Sequence, residues 1–128
     1  MAYPTGSGSE RLMRGGINAQ SDTETAFKFD GTSPSTGTGS YTVPALHIIT
    51  VLEIIVCEQG GAAETFNLYA QDGTNNIVLL QNQSIGIYQT FVFSDKIVLQ
   101  GGDSLKFNAI NTANLDLWYS YIDQNWID

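Results

Sequence analysis

From His47 to Cys57 the chain reads His-Ile-Ile-Thr-Val-Leu-Glu-Ile-Ile-Val-Cys, with apolar residues at nearly every position. Ile48, Val51, Leu52 and Ile55 would also fit a helical stripe, so composition has to arbitrate. Six of the eleven residues are Ile or Val, Thr50 is also β-branched, and no Ala, Lys, Arg or Gln occurs there. Stiff branched side chains favour extended backbone, and the segment is expected to be a long β-strand. Unbroken alternation would put Ile49, Val51, Ile55 and Cys57 on one face and Ile48, Leu52, Ile54 and Val56 on the other. With both faces apolar, the strand belongs inside a sandwich or at an interface. Tyr41-Thr42-Val43-Pro44 precedes it, and Glu58-Gln59-Gly60-Gly61 ends it in a turn.

Shorter segments repeat the theme with a period of two. Thr65 to Ala70 places Phe66, Leu68 and Ala70 opposite Thr65, Asn67 and Tyr69. Asp72-Gly73 turns the chain into Ile77 to Leu80, a hairpin signature. Ala26 to Phe29, Thr90 to Phe93, Ile97 to Leu99 and Ser104 to Ile110 add further strands. The last predicted strand, Leu115 to Ile122, sets Leu115, Leu117, Tyr119 and Tyr121 against Asp116, Trp118, Ser120 and Ile122. Eight or nine short strands without a credible helix predict an all-β, single-domain β-sandwich, jelly-roll-like. Residues 1–22, rich in Gly and small polar residues, are expected to be an extended N-terminal arm, with the sandwich occupying 23–128. Thr32 to Ser40 is expected to be a loop.

Composition narrows the function classes. The 128 residues carry thirteen acids and five Lys or Arg, a net charge of −8. No cationic surface is available to replace phosphate counterions, which argues against nucleic-acid binding. No stretch approaches the about 20 apolar residues of a spanning helix, and the N-terminus lacks the pattern of a secretory signal. Cys57 has no partner for a disulfide and is expected to be an inert strand thiol.

Candidate chemistry is sparse. His47, the single histidine, opens the long strand and reads as a turn-edge or packing residue rather than a base. Gly102-Asp103-Ser104-Leu105 spells the signature of GDSL esterases, but no histidine follows it, and a turn before a strand is the better reading. Asp72 to Asn76 and Asp30-Gly31 lack the ligand spacing of a calcium loop. Glu53 interrupts the apolar strand and calls for an ion pair or an interface contact. No catalytic, cofactor or metal residue is assigned, and the chain is not expected to be an enzyme.

Tyr41-Thr42-Val43-Pro44, the strand to Cys57, the Phe66 to Tyr69 strand, Ile97-Val98-Leu99 before Gly101-Gly102-Asp103-Ser104-Leu105, and the closing strand from Leu115 to Tyr121 together resemble small virion structural proteins of tailed bacteriophages. The likeness spans about Tyr41 to Ile122, with glycine usual in that group where Leu46 stands here. It implies a virion β-sandwich in a capsid decoration (cement) role, or one at the neck or tail, with the major capsid protein or another virion protein as partner. On this reading the chain is assembled in the host cytoplasm as a homo-oligomer, with a trimer preferred, and has neither nucleic acid nor membrane as partner. Arg11, Leu12, Met13 and Arg14 are then expected to touch the capsid. Glu53, Trp118, Tyr119, Tyr121, Trp126 and Ile127 are expected at the subunit interface. A carbohydrate-binding or adhesive module is the alternative of another class, to be recognised by exposed aromatics on one sheet face.

Overall fold

A computed structural model describes residues 7–19, 24–31, 40–110 and 114–127. Every regular element in them is a strand: β1 (Ser7–Ala19), β2 (Thr25–Ala26), β3 (His47–Glu58), β4 (Glu64–Gln71), β5 (Asn76–Ile85), β6 (Thr90–Phe93), β7 (Ile97–Gln100), β8 (Ser104–Ala109) and β9 (Leu115–Ile127). They form two antiparallel sheets. One runs β1-β9-β3-β6, with β7 also paired to β3, and the other runs β2-β8-β4-β5. The fold is the jelly-roll-like β-sandwich expected from the strand pattern.

The long apolar segment is the centre of the first sheet. β9 pairs along one side of β3 from His47 to Glu58, while β7 and β6 share the other side in succession. The face assignment expected for β3 holds only for its first half. The pairing with β9 slips between Val51 and Glu53, so Leu52 is an extra residue and the phase inverts beyond it. Ile49 and Val51 point inward before this bulge, and Ile54, Val56 and Glu58 after it. Ile55 and Cys57 therefore face outward, contrary to simple alternation. A bulge bends and twists its strand. The break between β6 and β7 at Ser94-Asp95-Lys96 falls opposite this bend, since β7 ends its pairing at Val51 and β6 begins at Ile54.

The segment expected as an arm is, over residues 7–19, the edge strand β1, paired with β9 through thirteen residues. Two of its three glycines, Gly8 and Gly15, are places of close approach rather than of looseness. Gly15 lies opposite Tyr119, and a Cβ there would strike the tyrosine ring. The remainder of the expected arm and the interior of the Thr32 to Ser40 loop lie outside the described residues.

In β4, β8 and β9 the period-two reading holds. Phe66 and Leu68, Leu105, Phe107 and Ala109, and Leu115, Leu117, Tyr119 and Tyr121 are all buried between the sheets. Aromatic rings dominate one end of this core. Phe29 meets Tyr121 at 5.0 Å and Tyr119 at 5.8 Å edge-on, and Phe27 meets Tyr119 at 4.9 Å. Such edge-to-face contacts add about 0.5–1.5 kcal/mol per pair beyond burial.

Candidate interface

β1, β9 and β3 present one outer sheet face, and register dictates what it carries. Directly paired residues of antiparallel strands share a face, so Leu12 lies beside Ile122 and then Thr50, Arg14 beside Ser120 and Glu53, and Gly16 beside Trp118 and Ile55. Leu12 is 74% exposed and Trp118 46%. The Arg14 guanidinium sits over the Trp118 ring, 5.1 Å from its centre, a cation–π contact. Beside it opens a shallow groove of about 300 Å³, lined by Gly16, Asn18, Ile55, Cys57, Asp116 and Trp118 among others. Its polar border is fixed by Asp116, which accepts from Asn18 Nδ2 at 2.8 Å and from Gln59 Nε2.

The ten residues singled out in the sequence separate on this geometry. Leu12, Arg14, Glu53 and Trp118 come together on the one outer face, although they were assigned to two different contacts. Met13 turns inward, packs against the core and lays its methyl against Gly31. Arg11 reaches Asp123 at 3.7 Å. Tyr119 and Tyr121 correct the expectation of a subunit contact: at 2% and 0% exposure their rings are spent inside the chain's own core. Their hydroxyls hold the segment after β2. Tyr119 Oη accepts from the Lys28 N–H at 3.0 Å and donates to the Lys28 carbonyl at 2.6 Å, and Tyr121 Oη accepts from the Gly31 N–H at 3.1 Å. Burial raises the pKa of both phenols, and it pushes neighbouring Tyr41 up to about 12. Trp126 is half-buried, with its backbone N–H on the Leu46 carbonyl at 2.8 Å. The Ile127 side chain lies outside the described residues.

The acid of consequence is Glu58, read from the sequence only as a turn residue. It is 1% exposed, and its carboxylate accepts from the backbone N–H groups of Gly60, Gly61, Ala62 and Tyr88 at 2.8, 3.2, 3.2 and 2.9 Å. The Tyr88 N–H above all, with the three others, holds its pKa below the ordinary glutamate value against the opposing effect of burial. The signal was present in Glu58-Gln59-Gly60-Gly61. An acid two residues before a Gly-Gly pair can fold its own loop around itself, and Gly61 takes a positive φ of 81° to do so. This carboxylate joins the β3–β4 loop to the β5–β6 loop.

His47 lies on Asp123, with Nδ1 2.8 Å from Oδ1. The turn before it holds Leu46 in the left-handed region. His47 N–H closes on the Pro44 carbonyl at 3.2 Å, and Leu46, third in the turn, has φ of 68°. That is the position at which type II turns take glycine. The Gly102-Asp103-Ser104-Leu105 run is likewise a turn: Gly102 has φ of 95°, Asp103 Oδ2 accepts from Gln100 N–H at 3.0 Å, and Ser104 starts β8. Asp72 accepts from Asn75 N–H at 3.1 Å, which lowers its pKa and marks it as a turn residue. Among the described residues, no group of three or more His, Cys, Asp or Glu side chains is placed to hold a metal ion, and no helix is long and apolar enough to cross a membrane.

No family model matches the chain, and no curated protein matches it. Solved structures do. One is a pentameric capsid protein isolated from metagenomic phage sequences, 14% identical, with a TM-score of 0.41; the match covers 91% of this chain and 65% of that one. The globular domain of zebrafish complement 1qA protein is 16% identical over 93% of this chain and 95% of its own, with a TM-score of 0.45. A Clostridium thermocellum endo-1,4-β-D-xylanase fragment carrying CBM22-1 and GH10 modules, complexed with xylohexaose, is 16% identical over 84% of this chain and 25% of its own, with a TM-score of 0.43. The chain thus spans just under two thirds of the phage capsid protein. Likenesses this distant speak to the β-sandwich fold only.

Proposed function

We propose that this chain is a virion structural protein of a bacteriophage, without enzymatic activity, that docks on the capsid exterior as a decoration or cement protein. The observation that carries the reading is the outer face of the β1-β9-β3 sheet. An exposed leucine, an exposed tryptophan under an arginine, and half-buried Ile55 and Ile122 lie on that face, and Ile55 and Trp118 line its shallow groove. Aromatic and arginine side chains at the centre of an apolar patch are the usual anchors of protein contacts. Repetition of such a contact over a symmetric shell multiplies a modest affinity. The likeness of the Tyr41 to Ile122 region to phage virion proteins supports the same assignment. A glycan-binding role would want a row of exposed rings. Among the described residues the exposed Trp and Tyr side chains are Trp118, on β9, and Tyr88, in the β5–β6 loop.

Mass spectrometry of purified virions tests the reading. A decoration protein is expected on the order of hundreds of copies, and a neck or tail protein at about a dozen or fewer. Combining Leu12→Asp with Trp118→Ala should remove the protein from virions while leaving it folded. Incorporation of the double variant at the normal level would sink the face assignment, and absence of the wild-type protein from virions would sink the whole proposal.

A further inference from the structure

The outer face of the first sheet continues past β3, and register lays it out in rows. Val98 of β7 joins Leu12, Ile122 and Thr50, and Val92 of β6 joins Gly16, Trp118 and Ile55. Val98 and Val92 are 55% and 50% exposed, so two apolar bands cross the whole sheet. The bands lie roughly 13 Å apart along β9, at the rise of an extended strand. Polar rows close the face at either end, with Glu10 beside Gln124 and Asn18 beside Asp116.

Between the bands runs a charged row in which Arg14, Ser120 and Glu53 stand side by side. Arg14 has its guanidinium over the Trp118 ring. Glu53 has nothing comparable. Among the described residues no hydrogen bond or ion pair reaches its carboxylate, although the residue is half-buried in a strand of Ile and Val. The other acids of the face are provided for. Glu10 accepts from Gln124 Nε2 at 3.1 Å, and Asp116 accepts from Asn18 and Gln59. Lys96, in the turn opposite the β3 bulge, donates to the Ser94 carbonyl at 3.2 Å and has Asp95 beside it.

A body that covers both bands also covers Glu53. Sealing a carboxylate under apolar surface strips its water without replacing it, a penalty that an opposed cation offsets.

We infer that the partner docking on this face presents a Lys or Arg side chain to Glu53, set between apolar side chains that rest on the two bands. Charge selects this occupant. The rows of the face carry three carboxylates, Glu10, Glu53 and Asp116, against the one guanidinium of Arg14. The chain as a whole has a net charge of −8. A basic protein surface is drawn to such a field, whereas nucleic acid or a second copy of this chain brings like charge. The inference rests on the docking reading given above and adds the chemistry of the partner.

Co-assembly tests it. Virions are formed with wild-type protein and a variant supplied in equal amounts, and mass spectrometry of the purified particles gives the ratio incorporated. Thermal unfolding establishes beforehand that each variant is folded. Glu53→Gln leaves the partner's cation buried and unpaired, so wild type should outnumber it roughly 30-fold or more. Glu53→Val suits a strand of Ile and Val, keeps the test open should the Gln variant fold poorly, and should be excluded at least as strongly. Val98→Asp, at the far end of the Leu12 band, should also be outcompeted.

The sign of the effect discriminates. Without a partner cation, removing the acid eases docking, so equal or preferential incorporation of Glu53→Gln or Glu53→Val overturns the inference and leaves the docking face standing. Equal incorporation of Val98→Asp overturns the extension of the bands across the sheet. Self-association of the isolated wild-type protein that Glu53→Gln abolishes would assign the cation to Arg14 of a second copy, and would overturn a foreign basic partner. Absence of the wild-type protein from virions is a separate failure, that of the docking reading itself, and takes the inference with it.

Discussion

Replacing Tyr119 with phenylalanine separates the two roles that a buried tyrosine on the last strand can have. The ring stays, with its contacts to Phe27, Phe29 and Tyr121, and only the hydroxyl is lost. That hydroxyl both accepts from and donates to the Lys28 backbone, at 3.0 and 2.6 Å. Each hydrogen bond is worth about 0.5–1.5 kcal/mol net, so the pair amounts to about 2 kcal/mol. For a chain of this size that is roughly an 8 °C fall in Tm. Urea titration should show the midpoint drop with the slope m unchanged, because the surface exposed on unfolding is the same. Tyr121→Phe is the internal calibration. It loses a single bond, from Gly31 N–H, and should cost about 1 kcal/mol. A Tyr119→Phe midpoint within about 0.5 kcal/mol of wild type would refute the pinning of the Lys28 segment. Weakened self-association with intact monomer stability would return Tyr119 to the subunit interface.

Two further outcomes follow from the loops and turns. Glu58 has a folded pKa below its ordinary 4.5, so its contribution is present above that pH and is lost as pH falls through the folded value. Glu58→Gln should lower Tm at neutral pH and flatten the acid limb of the stability curve below 4.5, and parallel curves for variant and wild type would show that the cradle is not charge-dependent. Leu46→Gly should stabilise the chain by about 0.5–1 kcal/mol in denaturant titrations, because it relieves a left-handed leucine that is 37% exposed. A loss of stability would mean that the Leu46 side chain contributes more than its backbone costs.

Much of the fold was legible because it is written in short-range alternation. Phe66 and Leu68, Leu105 and Phe107, and Leu115 through Tyr121 face inward as their period-two spacing requires, since successive strand side chains point to opposite faces. β3 departs from this at one residue. The bulge at Leu52 exists only in the pairing with β9, about seventy positions later, and it turns Ile55 and Cys57 outward and Glu58 inward. Local spacing cannot carry that information.

The candidate surfaces show the same division. Sequence alone placed Leu12, Arg14, Glu53 and Trp118 among the contact residues, from exposed-chain chemistry and the oddity of an acid in an apolar strand. That they share one face follows from the β1-β9-β3 register, a long-range pairing. The absence of charge from Gly73 to Ser94 is plain in the sequence, yet that this stretch supplies the terminal strands β5 and β6 of two different sheets among the described residues follows from long-range pairing. Residue type and local period determine what forms a strand and which side chains seek the interior. Which strands become neighbours, where a bulge reverses the phase, and which buried acid finds its backbone donors depend on contacts between distant segments, and those the tertiary structure decided.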